Sequence, residues 1–310
     1  MSVTFDITPE KRATQLSFLK RQFFRETPAV TRAEADLTGQ TAIVTGANTG
    51  LGLESARQLL DLGLSRLIIA VRSVSKGETA KEELVGSLKS FRAGSLPIID
   101  VWALDLSEYG SITAFAEKCK TLDRLDLVIN NAGISKKSFQ PNPKTGYDEV
   151  IQTNYLGAAL LTLLLLPLLK EKNTPDKPGR FVLVNSETSA WAAFKERDYP
   201  SGMLAGFKSD EGYVAQDRYW SSKLLGQLFL TELAKRVPAS VAIVNAPNPG
   251  LCRTSLMREW DGNVAGLIIG IMMRAIGRTT EVGARAFTDA AVRHGVRSHG
   301  QYLEDGKLQP

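Results

Sequence analysis

Residues 41–52 read TAIVTGANTGLG. The first half is a short β-rich run. The second half carries three glycines, Gly46, Gly50 and Gly52. Without a Cβ, the backbone there can turn tightly and approach another group closely. LGLESARQLLDLG (51–63) continues with helical spacing and closes on a glycine. A helix start presents free N–H groups and the positive end of the dipole, which suits an anion such as a pyrophosphate. A glycine trio alone reads as an ordinary tight turn, but its place between a strand and a helix favours the anion. The spacing is G-x-x-x-G-x-G, and no Gly-Lys-Ser/Thr ending follows it.

The strand-then-helix theme repeats outward from that point. SRLIIAVR (65–72), PIIDVWALDL (97–106), LDLVINNAG (125–133), RFVLVNS (180–186) and SVAIVNAP (240–247) read as strands, with GQYLE (300–304) a weak last one. The middle runs are almost continuously apolar, as in parallel strands covered on both faces. Strands alternating with helical patterns predict an α/β fold: one Rossmann-like, doubly wound parallel sheet of about seven strands, with helices on both faces, over residues 39–310.

Residues 1–38 read as an N-terminal extension. Its stretch TPEKRATQLSFLKRQFFRE (8–26) puts Leu16, Leu19 and Phe23 on one helical face among basic residues. The expectation is a helix packed on the domain surface. A membrane-surface anchor or a targeting segment is the alternative, disfavoured because Asp6, Glu10 and Glu26 dilute the basic character.

Composition narrows the function classes. The 310 residues are 43% hydrophobic and 23% charged, which fits a globular chain. The net charge of +5 is spread along the sequence, so it reads as a solvated surface and not a nucleic-acid footprint. Cys119, Cys252, His294 and His299 have no metal-ligand spacing, so no metal site is expected. The two cysteines read as buried fillers in a reducing, cytoplasmic setting. Both histidines lie far from any nucleophile motif, which disfavours a histidine-centred hydrolase. No long apolar run follows the early basic residues, so no secretory signal is expected. The run LGAALLTLLLLPLL (156–169) is closed by Lys170, Glu171 and Lys172 and reads as a buried helix.

The end of the second strand bears on the choice of dinucleotide. An NAD site wants Asp or Glu there for the ribose hydroxyls. This chain has Arg72 instead, with Lys76 shortly after. A carboxylate would repel a 2′-phosphate that an arginine fork can grip. NADP(H) is therefore the expected cofactor, the alternative being that Arg72 is simply an exposed strand-end residue.

Four motifs, TGANTGLG (45–52), NNAG (130–133), YWSSK (219–223) and NPGLCRT (248–254), occur in this order. Together they resemble the short-chain dehydrogenase/reductase family over roughly residues 38–305. VNSETSAWAAF (184–194) and SHGQYLEDGKLQP (298–310) are similar to retinol-dehydrogenase-like reductases of fungal secondary metabolism.

The resemblance implies a catalytic set of Tyr219, Lys223, Ser186 and Asn154. Tyr219 would be the proton donor to a carbonyl, or the base toward an alcohol. A phenol has a pKa near ~10, and Lys223, one helical turn along, is expected to depress it and to hold the nicotinamide ribose. As a bare sequence pair, Tyr219 and Lys223 could equally lie on the surface of an amphipathic helix. Ser186 would hydrogen-bond the substrate oxygen, with Ser189 its rival. Asn154 would anchor a relay water, or merely cap the apolar helix. Cofactor contacts are implied for Gly46, Asn48, Thr49, Gly50, Leu51 and Gly52; for Arg72, Lys76, Asp105 and Leu106; for Asn131, Ala132 and Gly133; and for Pro249, Gly250 and Thr254. Tyr219 and Lys223 join them.

The chain also departs from the family. Ser186 and Tyr219 lie 33 positions apart, a long interval. The extra segment, with Trp191, Phe194, Phe207 and Tyr213, is expected to form part of the substrate wall, the alternative being a surface elaboration. The stretch through GLIIGIMMRAIG (266–277) is expected to be an apolar lid, or else an ordinary core or dimer helix. The chain stops where relatives often continue with another helix. The implied activity is NADPH-dependent reduction of a ketone or aldehyde on a bulky apolar small molecule, by a monomer or homodimer. Alcohol oxidation at the same site, or dinucleotide binding without turnover, are the alternatives.

Overall fold

A computed structural model describes residues 5, 7–88, 96–260 and 264–310. One sheet has the strand order β3-β2-β1-β4-β5-β6-β7-β8. Its members are β1 (Thr41–Thr45), β2 (Arg66–Val71), β3 (Ile98–Ala103) and β4 (Leu127–Asn130), then β5 (Gly179–Leu183), β6 (Ala242–Asn248), β7 (Tyr302–Glu304) and β8 (Lys307–Gln309). The first seven are parallel; β8 returns antiparallel to β7. The chain winds outward from β1 through β2 to β3, then restarts at β4 on the other side of β1. That reversal opens a crevice at the carboxyl ends of the central strands.

The helices follow from the same alternation. α1 (Pro9–Arg12) and α2 (Gln15–Phe24) precede the sheet, and α3 (Gly50–Asp61), α4 (Val74–Leu88) and α5 (Tyr109–Cys119) link the first four strands. α6 (Glu149–Ile151) runs through a π-helical turn, Gln152–Gly157, into α7 (Ala158–Glu171). α8 (Met203–Gly206), α9 (Ala215–Arg236), α10 (Val264–Ile276) and α11 (Thr280–Val292) complete the set. Successive strand residues point to opposite faces. Ala42 and Val44 of β1 pack with Leu59 of α3, Leu84 of α4 and Phe287 of α11. Ile43 packs on the other face with Phe115 of α5, Leu165 of α7 and Leu230 of α9. Both faces are thus covered, as the apolar strands require. The continuous helix Glu149–Glu171 is long and apolar enough to cross a membrane by composition. Here it is a core helix, with Leu161, Leu165 and Leu169 fully buried.

Two expectations need correction. The sheet has eight strands, not about seven. Asp305 and Gly306, at φ 53° and 73°, form a two-residue turn that pairs β7 with β8. An Asp-Gly pair between short runs of strand signals such a hairpin. α2 packs on the domain surface through Phe18, Arg21 and Gln22. Leu16, Phe23 and Phe24 are 64%, 56% and 80% exposed, while Arg12 and Gln22 are buried. Amphipathic reasoning assumes that the apolar side faces inward, but this surface carries carboxylates and main-chain groups that Arg21 and Gln22 satisfy. Second, of the aromatics expected to form a substrate wall between Ser186 and Tyr219, only Trp191 lines the crevice. Phe207 is fully buried, stacks on Phe194, and packs with Ile151 and Leu225 as a small separate core. Tyr213 stands edge-on to Phe139.

Candidate active site

The crevice holds a cavity of about 1010 Å³. At one end lies the β1–α3 turn, whose Gly46, Asn48, Thr49, Gly50, Leu51 and Gly52 all line it. Thr49 caps α3 without a side-chain hydrogen bond. The first amides of the helix are therefore left for an anion. Gly50 has φ +61°, and a Cβ added there would meet nothing nearer than Thr254 at 3.9 Å, so the turn opens toward the cavity. At Gly52 a Cβ would lie 2.5 Å from both Asn131 Nδ2 and Gly46 O, so the turn must press on the β4 loop. Asn131 fixes that loop by donating Nδ2–H to Thr45 O at 2.8 Å. These features fit a dinucleotide pyrophosphate.

Arg72 and Lys76 lie on the wall after β2. Both are exposed, and neither has a salt-bridge partner among the described residues. Ser73 and Thr79, beside them on the same wall, were not anticipated. Nor was Arg258, a further cation lining the cavity. Asp105 and Leu106 line it after β3, although the Asp105 carboxylate accepts from Ser107 N and Oγ in its own turn. Asn131, Ala132 and Gly133 follow β4; Pro249, Gly250 and Thr254 follow β6.

Ser186, Tyr219 and Lys223 line the same cavity. Ser186 caps the 3-10 turn Glu187–Trp191, its Oγ accepting from Thr188 N and Oγ1 at 3.3 and 3.0 Å. Thr188 faces the cavity, whereas Ser189 does not line it. α9 carries Tyr219 and Lys223 one turn apart, with Lys223 Nζ 5.8 Å from the Tyr219 ring centre. Nζ donates to Val184 O at 3.0 Å. Burial pushes the Tyr219 phenol well above its ordinary value, and burial lowers the Lys223 ammonium to about 8. The phenol is thus raised where the neighbouring lysine was expected to depress it. Taking both groups out of water penalises the charged form of each, phenolate and ammonium alike.

Asn154 sits in the π-helical turn and not at a helix end, so it caps nothing. It lies just behind the cavity wall, where its neighbour Thr153 is exposed to the space. Its Oδ1 accepts from Ile134 N at 2.8 Å, and its Nδ2 donates to Ile134 O and Ser222 Oγ. The side chain is therefore spent on protein partners.

Further side chains complete the lining, one of them from α2, which no motif implicated. Phe18 of α2, Trp220 of α9, and Met272 and Met273 of α10 line the cavity with Trp191. The methionines bear out an apolar lining after Thr254. Residues 261–263 of that stretch lie outside the described residues, as do the side chains of 264–269. Glu187, next to Ser186, also lines the cavity and is bound by Arg21 Nη2 at 2.7 Å. Cys119 and Cys252 are free and buried, with both thiols pushed up by burial to about 12, which suits fillers. His299 accepts from Val244 N, and neither histidine lines the cavity.

Comparison with known proteins bears on this geometry. Residues 40–202 match the short chain dehydrogenase family. Short-chain dehydrogenase fogG of Aspergillus ruber is 48% identical, over 100% of this chain and 89% of its own. Short chain dehydrogenase opdN of Penicillium oxalicum is 42% identical, over 97% of each. Among solved structures, the Pseudomonas aeruginosa RhlG/NADP active-site complex superposes with a TM-score of 0.61 at 23% identity, covering 87% of this chain and 95% of that chain. That last likeness speaks to the fold alone.

Proposed function

The chain belongs to the short-chain dehydrogenase/reductase family of nicotinamide-dependent oxidoreductases, and we propose that it uses NADPH to reduce the carbonyl of a bulky apolar ketone or aldehyde. The observation that carries this reading is the sharing of one cavity by Ser186, Tyr219 and Lys223 with the glycine turn at its far end. Proton donor and dinucleotide turn thus face the same enclosed space.

NADPH, when bound, supplies the hydride. Tyr219 donates the proton to the carbonyl oxygen. Burial keeps the phenol protonated at neutral pH, the form a proton donor needs, and the same group would serve as base in the reverse reaction. Ser186 donates a hydrogen bond to the same oxygen and stabilises the charge that develops there. Lys223 would hold the ribose and, while charged, would ease departure of the Tyr219 proton. Gly46 to Gly52 would cradle the pyrophosphate, Asp105 and Leu106 would meet the adenine, and Thr254 would take the carboxamide.

NADP specificity rests on Arg72 and Lys76, exposed and without carboxylate partners among the described residues, where an NAD site would place an acid. RhlG, a distant fold relative, is itself an NADP complex. The apolar methionines and aromatic rings suit an apolar substrate. A cytoplasmic setting fits two free, buried cysteines. Exposed Leu163 on α7 and Leu228 on α9 give the surface through which a homodimer would form, and sedimentation separates it from a monomer.

The test is loss of NADPH absorbance with a panel of carbonyls. Wild type turns over apolar members. Tyr219→Phe lowers kcat by about 10²- to 10⁴-fold while NADPH still binds. NADPH binding without turnover of any carbonyl, unchanged by Tyr219→Phe, would instead establish a non-catalytic dinucleotide-binding protein.

A further inference from the structure

The substrate side of the cavity is built in part by the N-terminal helices. Phe18 of α2 meets Trp191 edge-on, with ring centres 5.6 Å apart at 86°. Trp191 in turn meets Trp220 at 5.9 Å and 75°. All three rings line the cavity, and Trp220 directly follows Tyr219 in α9. We propose that this three-ring wall selects a substrate with a flat aromatic system attached to its reducible carbonyl. The proposal rests on the carbonyl-reductase reading and names the substrate class of that site.

The polar demands of the wall are met from behind. Trp191 donates Nε1–H to Ala13 O at 2.7 Å, so its one donor is used by the N-terminal segment. Glu187, a carboxylate on the same cavity, is held by Arg21. Edge-to-face contact uses the positive ring edge against a negative ring face, and a flat aromatic guest can extend the same series. Met272 and Met273, on the same cavity, offer thioethers that adapt to ring edges. A saturated guest of equal size gains the burial but none of these oriented contacts.

The wall is also fixed in place. Gln22, one turn after Phe18, donates Nε2–H to Leu251 O at 2.9 Å and to Ile276 O at 2.6 Å, and accepts from Leu251 N at 3.1 Å. α2 is thereby tied to the turn after β6 and to the end of α10. Phe18 therefore meets the substrate as a preset surface, which lowers the ordering cost of binding.

The experiment compares 2-acetylnaphthalene with its decahydro analogue, which has the same carbon skeleton without the π system. With NADPH, wild type should favour the aromatic ketone in kcat/KM by about three- to tenfold or more, through KM. Phe18→Leu should shrink that ratio toward unity, with KM for the aromatic ketone rising most. Trp220→Leu serves as the second variant if the first fails to fold. No preference in wild type, or equal losses for both ketones in a folded variant, overturns the proposal. If neither ketone is turned over, calorimetric binding of each to the NADP⁺-bound protein decides. An aromatic preference that depends on Phe18 keeps the wall and removes the reductase reading, while equal binding removes the wall.

Discussion

Arg21→Met tests how the N-terminal helices are held. Arg21 bridges two carboxylates, Glu187 at 2.7 Å and Glu304 at 2.9 Å, whose side chains are 7% and 2% exposed. Burial pushes the Glu187 carboxyl up to about 7, with the Glu304 charge adding to the rise and Arg21 opposing it. Because its folded value exceeds its unfolded one, the folded protein holds the extra proton between about pH 4.5 and 7. Stability therefore falls as pH rises through that window, by about 3 kcal/mol at ~1.36 kcal/mol per unit, and then levels. Removing Arg21 takes away the favourable charge and lifts Glu187 further, so the decline continues above neutral pH. Breaking a buried pair by deleting one partner costs about 3–5 kcal/mol, and that full loss is expected near pH 8. At about pH 6, where Glu187 is protonated in both proteins, the loss should be smaller by roughly 1 kcal/mol. Urea unfolding of cofactor-free wild type and variant at the two pH values reads the difference. Adding Glu187→Gln should recover part of the loss at the higher pH, the sign of a coupled pair. Equal losses at both pH values would show that Glu187 is not the group Arg21 serves.

Arg72→Gln should weaken NADPH binding about 10- to 100-fold and leave NADH binding nearly unchanged, measured by titration of each, since only the 2′-phosphate uses the guanidinium. Lys223→Met removes a buried ammonium whose pKa is depressed to about 8, so the variant should melt at or above the wild-type Tm near neutral pH. That advantage should fade as pH rises from about 8 to 10.5, where the wild-type lysine also becomes neutral, and turnover should fall about 100-fold or more throughout. Gly52→Ala would set a methyl 2.5 Å from Asn131 Nδ2 and Gly46 O, so it should destabilise by about 1–3 kcal/mol and lose dinucleotide affinity together.

The parts of this protein that were legible in its sequence are those whose chemistry is local. The glycine turn works through main-chain shape over Gly46–Gly52, and Tyr219 and Lys223 meet because a helix repeats every three to four residues. Each central strand announces itself by apolar content, because both of its faces are covered. What stayed hidden depends on partners distant in the chain. Gln22 binds Leu251 and Ile276, and Arg21 binds Glu187 and Glu304, so nothing near residue 22 reveals that these two polar side chains of α2 face inward. The direction of the Tyr219 shift was hidden for a related reason. Spacing places a cation beside the phenol but does not say how completely water is removed from both, and here that removal dominates.

The same division separates cofactor from substrate. The dinucleotide is gripped by consecutive residues at strand ends, so its site can be read from short motifs. The substrate wall takes Phe18 from α2, Trp191 from the turn after β5, Trp220 from α9 and Met272 from α10. α2 is tied to this assembly by Trp191, by Gln22 and by the buried Arg21 ion pairs. It follows that the first helices govern substrate choice more than cofactor choice. A variant that loosens them, such as Gln22→Ala, should raise KM for the carbonyl severalfold more than KM for NADPH. Stopped-flow binding of NADPH alone, unchanged in that variant while the carbonyl KM rises, is the result this division requires. A matched loss of NADPH affinity would mean that α2 acts on the cofactor turn after β6 instead.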